Sequence, residues 1–174
     1  LQKRIPFNEI KTHEKVLIQQ VRHADPDAEI TIAGSYRRKK DTSGDIDVLL
    51  KSENPKVFDE LITRLTKLGY LVGHLAHGKK KYNGVCQLGK KGIFRRIDIM
   101  YTKPEEYPFA IFYFTGSDEF NKKVRKQILD QGMTINEYSL KDNETKEKVD
   151  YEFNVEKDIF DYLEMDYVEP QDRL

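Results

Sequence analysis

Two acids interrupt an apolar run in GDIDVLL (44–50), and no other stretch limits the fold so tightly. Isoleucine, valine and leucine here read as a buried strand. Residues two apart on a strand share a face, so Asp45 and Asp47 point one way while Ile46 and Val48 point the other. Like charges set side by side repel, and a bound cation is the usual reason for bringing them together.

The flanking pattern supplies the rest of a sheet. Residues 7–23 carry Phe7, Ile10, Val16 or Leu17, and Val21 at helical spacing, and Pro26 stops that helix. EITIAG (29–34) alternates as a strand, and GSYRRKK turns back toward GDIDVLL. PKVFDELITRLTKLG (55–69) is a helix with proline at its start and glycine past its end. YLVGHL, YNGVCQL and FRRIDIMY follow as strands. After Pro104, EEYPFAIFYFTG and SDEFNKKVRKQILDQG read as helices, INEYSL as a short strand and EKDIFDYLEM as a last helix. The expected fold is α+β: a mixed or antiparallel sheet flanked by helices over residues 1–103, with a small α/β subdomain over 104–174 docked to it. A chain of 174 residues can form one full-sized core or two small units sharing one.

Charge divides the chain in the same way. The net charge is zero, yet residues 1–100 hold 20 Lys/Arg against 12 Asp/Glu, and the remainder holds 10 against 18. Basic clusters at 37–40, 78–81, 90–91 and 95–96 lie in the half that carries the acidic pair, which favours a polyanion as partner. One cysteine, Cys86, excludes an internal disulfide and a cysteine-rich zinc site, and reads as a small buried hydrophobe. His13, His23, His74 and His77 share no ligand spacing with the acids and read as surface or packing residues. No apolar run is long enough to cross a membrane and no signal peptide opens the chain, so an intracellular protein is expected.

FRRIDIMY places a third acid, Asp98, inside an apolar strand. If it lies beside residues 45–50, Asp45, Asp47 and Asp98 form a hard oxygen site suited to Mg²⁺, with Mn²⁺ able to substitute. Two such ions about 4 Å apart serve in-line phosphoryl transfer. GSYRR adds a cradle for a polyphosphate: Gly34 permits a tight turn, Ser35 offers a hydroxyl, and Arg37 and Arg38 bring fork-shaped donors.

GS, then D-x-D ten residues after Ser35, then a distant strand acid resembles the nucleotidyltransferases. RIPFNEI, GSYRRKKDTSGDIDVLL, YNGVCQL, FRRIDI, YFTGSDEFNKKVR, TINEY and EKDIFDYLEMDYVEPQDR together resemble the C-terminal half of the family X DNA polymerases, in register over nearly the whole chain. The resemblance implies a palm carrying Asp45, Asp47 and Asp98 as metal ligands, with Asp98 beside the primer 3′-hydroxyl. It implies a deoxynucleoside triphosphate held by Arg4, Gly34, Ser35, Arg38 and Gly44, with Tyr113 and Phe114 packed on its sugar. A non-proline cis peptide is expected between Gly116 and Ser117, Asp118 near the incoming base, and Asn121 at its minor-groove edge. Primer-template or gapped DNA would meet Lys80, Lys81, Tyr82, Arg96, Arg125 and Tyr138, with the KKK run on the template backbone.

The implied activity is DNA-directed addition of a deoxynucleotide, as in gap filling during repair, by a monomer. It would act in the nucleus of a eukaryotic cell, or in host cytoplasm or virion for a viral protein. A template-independent transferase and a catalytically weak palm that binds DNA and nucleotide stand as alternatives. Tyr-Phe, where template-independent relatives carry Gly-Trp, favours the templated enzyme. Nothing resembles the family's lyase or helix-hairpin-helix domains, so no lyase activity and weak DNA affinity are expected. Met100 stands where the family often has an arginine that pairs with an acid; Glu137 matches that acid, so it would lack its arginine partner and the family's usual open-to-closed switch would not form here.

Overall fold

The computed structural model describes residues 3–174. A short strand β1 (Ile5–Pro6) leads into helix α1 (Phe7–Ala24), which ends one residue before Asp25-Pro26. Strand β2 (Glu29–Ile32) follows, then the four-residue helix α2 (Gly34–Arg37), β3 (Thr42–Ser43) and β4 (Ile46–Lys51). Helix α3 (Lys56–Lys67) crosses to β5 (Leu71–His77), which pairs with β6 (Lys81–Cys86) and leads to β7 (Arg95–Thr102). The five long strands form one sheet in the order β2-β4-β7-β6-β5. It is mixed: β4 and β7 run parallel and the other pairs antiparallel.

Alternation along β4 and β7 divides the sheet into two faces. Ile46, Val48 and Leu50, with Ile97, Ile99 and Tyr101, are buried in one core with Leu17 and Val21 of α1 and Phe58, Leu61 and Leu65 of α3. The opposite face carries Asp47 and Asp98 at its start, and Leu49 and Met100 two residues on. Those two pack against Tyr107, Ala110 and Ile111 of α4 (Tyr107–Thr115). The acids therefore stand where the covering helix leaves off.

Helix α5 (Asp118–Asp130) begins at an N-cap, where Ser117 Oγ accepts from Phe120 N at 3.2 Å. Phe112, Phe120, Val124, Ile128 and Phe160 build a separate core for the C-terminal part. INEYSL, expected as a strand, is instead the turn of a hairpin between β8 (Met133–Ile135) and β9 (Leu140–Asp142). Asn136 Oδ1 accepts from the backbone N–H groups of Tyr138 and Ser139, and this local turn prevails over β propensity. The last helix is shorter than expected, α6 (Lys157–Tyr162); the chain leaves it through Glu164 at φ 56° and ends past a 3₁₀ turn at Pro170–Asp172.

Candidate active site

Parallel pairing sets Asp47 directly beside Asp98, and Asp45 stands just ahead of β4. One carboxylate oxygen from each lies within 4.8 Å of the others. Burial pushes the Asp47 carboxyl up to about 7, reinforced by the charges of Asp45 and Asp98 and opposed by Arg38. Burial and then Asp45 also raise Asp98, while hydrogen bonding from Asn83 and the charge of Arg96 oppose the shift. Two half-buried carboxylates, Asp47 and Asp98, converging with the exposed Asp45 make an all-oxygen donor set that fits divalent cations of the magnesium and manganese type.

The turn beside them favours glycine. Gly34 sits at φ +61°, and a Cβ there would lie 2.7 Å from Asp47 Oδ2. Ala33 N donates to Asp47 O at 2.8 Å, fixing α2 against the acid-bearing strand. Arg38 leans across this turn, donating to Ser35 Oγ at 3.3 Å and to the Thr115 carbonyl at 2.5 Å, while its buried Nε has no partner. Burial lowers the Arg38 pKa. Arg4 reaches the same cradle by donating to Thr42 Oγ1 and Thr42 O, 3.1 and 3.2 Å away, which brings its guanidinium beside Gly44.

Across the cleft, Tyr113 and Phe114 stand edge to face with centroids 5.1 Å apart. The Gly116–Ser117 peptide is cis and Gly116 lies at φ 70°. A cleft of about 290 Å³ has Gly34, Ser35, Arg38, Asp45 and Asp47 on one wall and Tyr113, Phe114, Gly116 and Asp118 on the other. Asn121 is close by, but its amide donates to the Tyr113 carbonyl at 2.9 Å and its buried Oδ1 is unpartnered. Lys80, Lys81 and Arg125 are exposed, and Lys80 Nζ lies 5.6 Å from the Tyr138 ring centroid.

Two sequence readings change. Tyr82, expected at DNA, is 1% exposed; its hydroxyl bonds His74 Nδ1 at 2.6 Å and the Gly73 carbonyl, because alternation along β6 turns it into the core. Arg37 is not a phosphate donor here: its guanidinium is engaged by Glu156, at 3.0 and 3.1 Å, and by Thr115. Met100, which replaces the family's arginine, is 6% exposed and packs in the apolar seam under α4, so Glu137 has no arginine partner at that position. Cys86 is buried as expected, with burial pushing its thiol up to about 11. His13 packs between Tyr70 and Glu9.

The structure also reveals residues that the sequence did not single out. Asn83 Nδ2 donates to Asp98 Oδ1, and its Oδ1 accepts from Arg96 at 3.0 Å. Arg95 is held by both carboxylate oxygens of Glu9 at 2.7 Å and donates to the carbonyls of Lys3 and Arg4, anchoring the segment that presents Arg4. Glu156 bridges Arg37 to the fully buried Arg173.

Residues 4–104 match the DNA polymerase beta palm, and residues 110–174 the DNA polymerase beta thumb. The chain is 30% identical over 188 residues to DNA polymerase lambda of Rattus norvegicus, covering 98% of this chain and 33% of that protein. DNA polymerase lambda of Arabidopsis thaliana is 26% identical, with 98% and 36% covered. DNA nucleotidylexotransferase of Gallus gallus is 27% identical, with 85% and 36% covered. The chain thus spans about a third of the length of the curated relatives it matches. With a palm match over more than half its residues, and the acid triad and glycine turn placed as described, the chain belongs to the family X DNA polymerases.

Proposed function

We propose that this chain is a DNA-directed DNA polymerase module that fills short gaps, with residues 1–103 as the catalytic palm and 104–174 as the subdomain that covers the nascent base pair. One observation carries the reading: the cleft that holds two of the acids and the Ser35–Arg38 cradle also holds the Tyr113–Phe114 platform and Asp118. Polyphosphate, sugar and base would each meet a matching wall.

In this reading Arg4, Ser35, Arg38 and the Gly44 backbone hold the triphosphate, and Tyr113 and Phe114 pack on the sugar and crowd a 2′-hydroxyl. Divalent cations held by Asp45, Asp47 and Asp98, a pair of Mg²⁺ ions with Mn²⁺ able to replace them, supply charge neutralisation for the triphosphate and a more acidic 3′-hydroxyl. Arg96 steadies the primer end, and Asp98 accepts the hydroxyl proton. The primer 3′-oxygen bonds to the α-phosphorus, the bond to the bridging oxygen breaks, and pyrophosphate leaves. Asn121 reads the minor-groove edge common to all correct pairs, which requires its amide to leave the Tyr113 carbonyl. Lys80, Lys81, Arg125 and Tyr138 hold the template without reading its sequence. The module acts as a monomer, in the nucleus of a eukaryotic cell, or in host cytoplasm or virion for a viral protein.

Primer extension on one-nucleotide-gapped DNA with Mg²⁺ tests the proposal. Template-directed addition that Asp98→Ala abolishes, with nucleotide binding retained, supports it. Addition to single strands regardless of template favours a template-independent transferase, and binding without addition favours a weak DNA-binding palm.

A further inference from the structure

Asn83 stands on β6 opposite Asp98 on β7, on the face that carries the acids. Its neighbours Tyr82 and Gly84 turn the other way and are buried. The carboxamide has one donor end and one acceptor end, and each is matched. Nδ2 donates to Asp98 Oδ1, and Oδ1 accepts from Arg96 Nη2 at 3.0 Å. A flipped amide would set oxygen against carboxylate and NH₂ against guanidinium, so charge fixes its orientation. An adjoining, mostly apolar cleft of about 260 Å³ is lined by Asn83 and Asp98 together with Asp47, Lys81, Met100 and Phe114.

We propose that Asn83 is the positioning residue for Asp98. It holds the carboxylate in the rotamer that converges on Asp45 and Asp47, and it ties that rotamer to Arg96. The inference rests on the polymerase reading for its kinetic consequence, but not for its geometry. Asp98 is reached through Asn83, whereas Ser35, Arg38 and Gly44 lie on another element. Loss of the carboxamide therefore affects the chemical step and spares nucleotide affinity. Because Arg96 orients Asn83 from behind, the two side chains act as one unit.

Two measurements test this. In the DNA-free protein, the Asn83 side-chain amide protons are expected to be protected from solvent exchange, and their NMR resonances to move in both Asp98→Ala and Arg96→Met. Asn83→Leu, which keeps the size and removes both hydrogen bonds, is expected to lower Mn²⁺ affinity by electron paramagnetic resonance, and kcat, by roughly 10- to 100-fold while leaving KM for the nucleotide within about twofold. In the double variant Asn83→Leu/Arg96→Met, kcat is expected to stay within about threefold of that of Arg96→Met alone. Should Asn83→Leu melt early, Asn83→Ser carries the same comparison without added apolar bulk. Rapidly exchanging amide protons that ignore Asp98→Ala, a change confined to KM, or multiplicative loss in the double variant would overturn the assignment. A wild-type chain that adds no nucleotide would sink the polymerase reading instead, and the NMR and Mn²⁺ results would still decide the role of Asn83.

Discussion

Replacing Glu156 by glutamine tests what joins the C-terminal part to the palm. The Glu156 side chain, 6% exposed, accepts from Arg173 at 2.7 and 2.9 Å, from Arg37 at 3.0 and 3.1 Å, and from the Tyr167 hydroxyl at 3.1 Å. Burial alone would raise its pKa; Arg173 and Arg37 overcome that and hold the carboxyl below its usual value. Arg173 is 0% exposed and ringed by Phe112, Phe120, Phe160 and Tyr167, so water cannot replace a lost partner. Glutamine keeps the shape and leaves two guanidinium charges uncompensated. Removing one member of such a buried pair costs about 3–5 kcal/mol. For a chain of this size that corresponds to a drop on the order of 10 °C in melting temperature. Calorimetry at neutral pH is the assay. Glu156→Met/Arg173→Met, which removes the carboxylate and the fully buried guanidinium and leaves only Arg37, 20% exposed and reachable by water, should recover most of the loss. A glutamine variant within about 1 kcal/mol of wild type would refute the reasoning, as would a double variant no better than the single. The effect has a pH sign as well. A depressed carboxyl pKa stabilises the fold above its unfolded value and loses that stabilisation as pH falls through the folded one. The gap between wild type and Glu156→Gln should therefore close in acid.

Asp47→Asn reverses the sign. Its folded pKa is raised to about 7, so stability is full below the usual carboxylate range and falls as pH rises through neutrality. The metal-free wild type should lose about 2 kcal/mol between pH 5 and pH 8, an effect that the asparagine variant lacks and Mg²⁺ opposes. Gly34→Ala should cost about 1–2 kcal/mol from the left-handed backbone alone and displace Asp47, so thermal melts should fall and Mg²⁺-induced stabilisation should shrink. Tyr82→Phe removes the bonds to His74 and Gly73 and should cost about 1 kcal/mol by denaturant titration, with DNA affinity unchanged in a gel-shift assay.

Local patterns carried much of this architecture in the sequence. Alternating Ile, Val and Leu announced β4 and β7, and the aspartates announced the open face because nothing apolar explains them there. Gly34 was legible because a tight turn between strand and helix calls for it. The resemblance put Tyr82 with the lysines on the template backbone, but strand alternation sends successive residues to opposite faces and turns it into the core. Asn83 was not singled out, although its segment reads as a strand, because only cross-strand register gives it a partner. No local pattern could reveal Glu156 as the partner of Arg37, 119 residues away. INEYSL failed for the opposite reason: a single asparagine side chain, bonding two backbone amides, decided the turn against its apolar and aromatic neighbours.

The central strands β4 and β7 are parallel, and that geometry sets when the acids can meet. A hairpin cannot join parallel neighbours, so the chain must travel through α3, β5 and β6 before Asp98 arrives beside Asp47. Loop closure over that span makes the pairing a late, long-range event in folding rather than a seed for it. A nascent chain released before β7 has docked can bury apolar surface yet cannot hold an ion between these carboxylates, so cation capture marks the completion of the sheet.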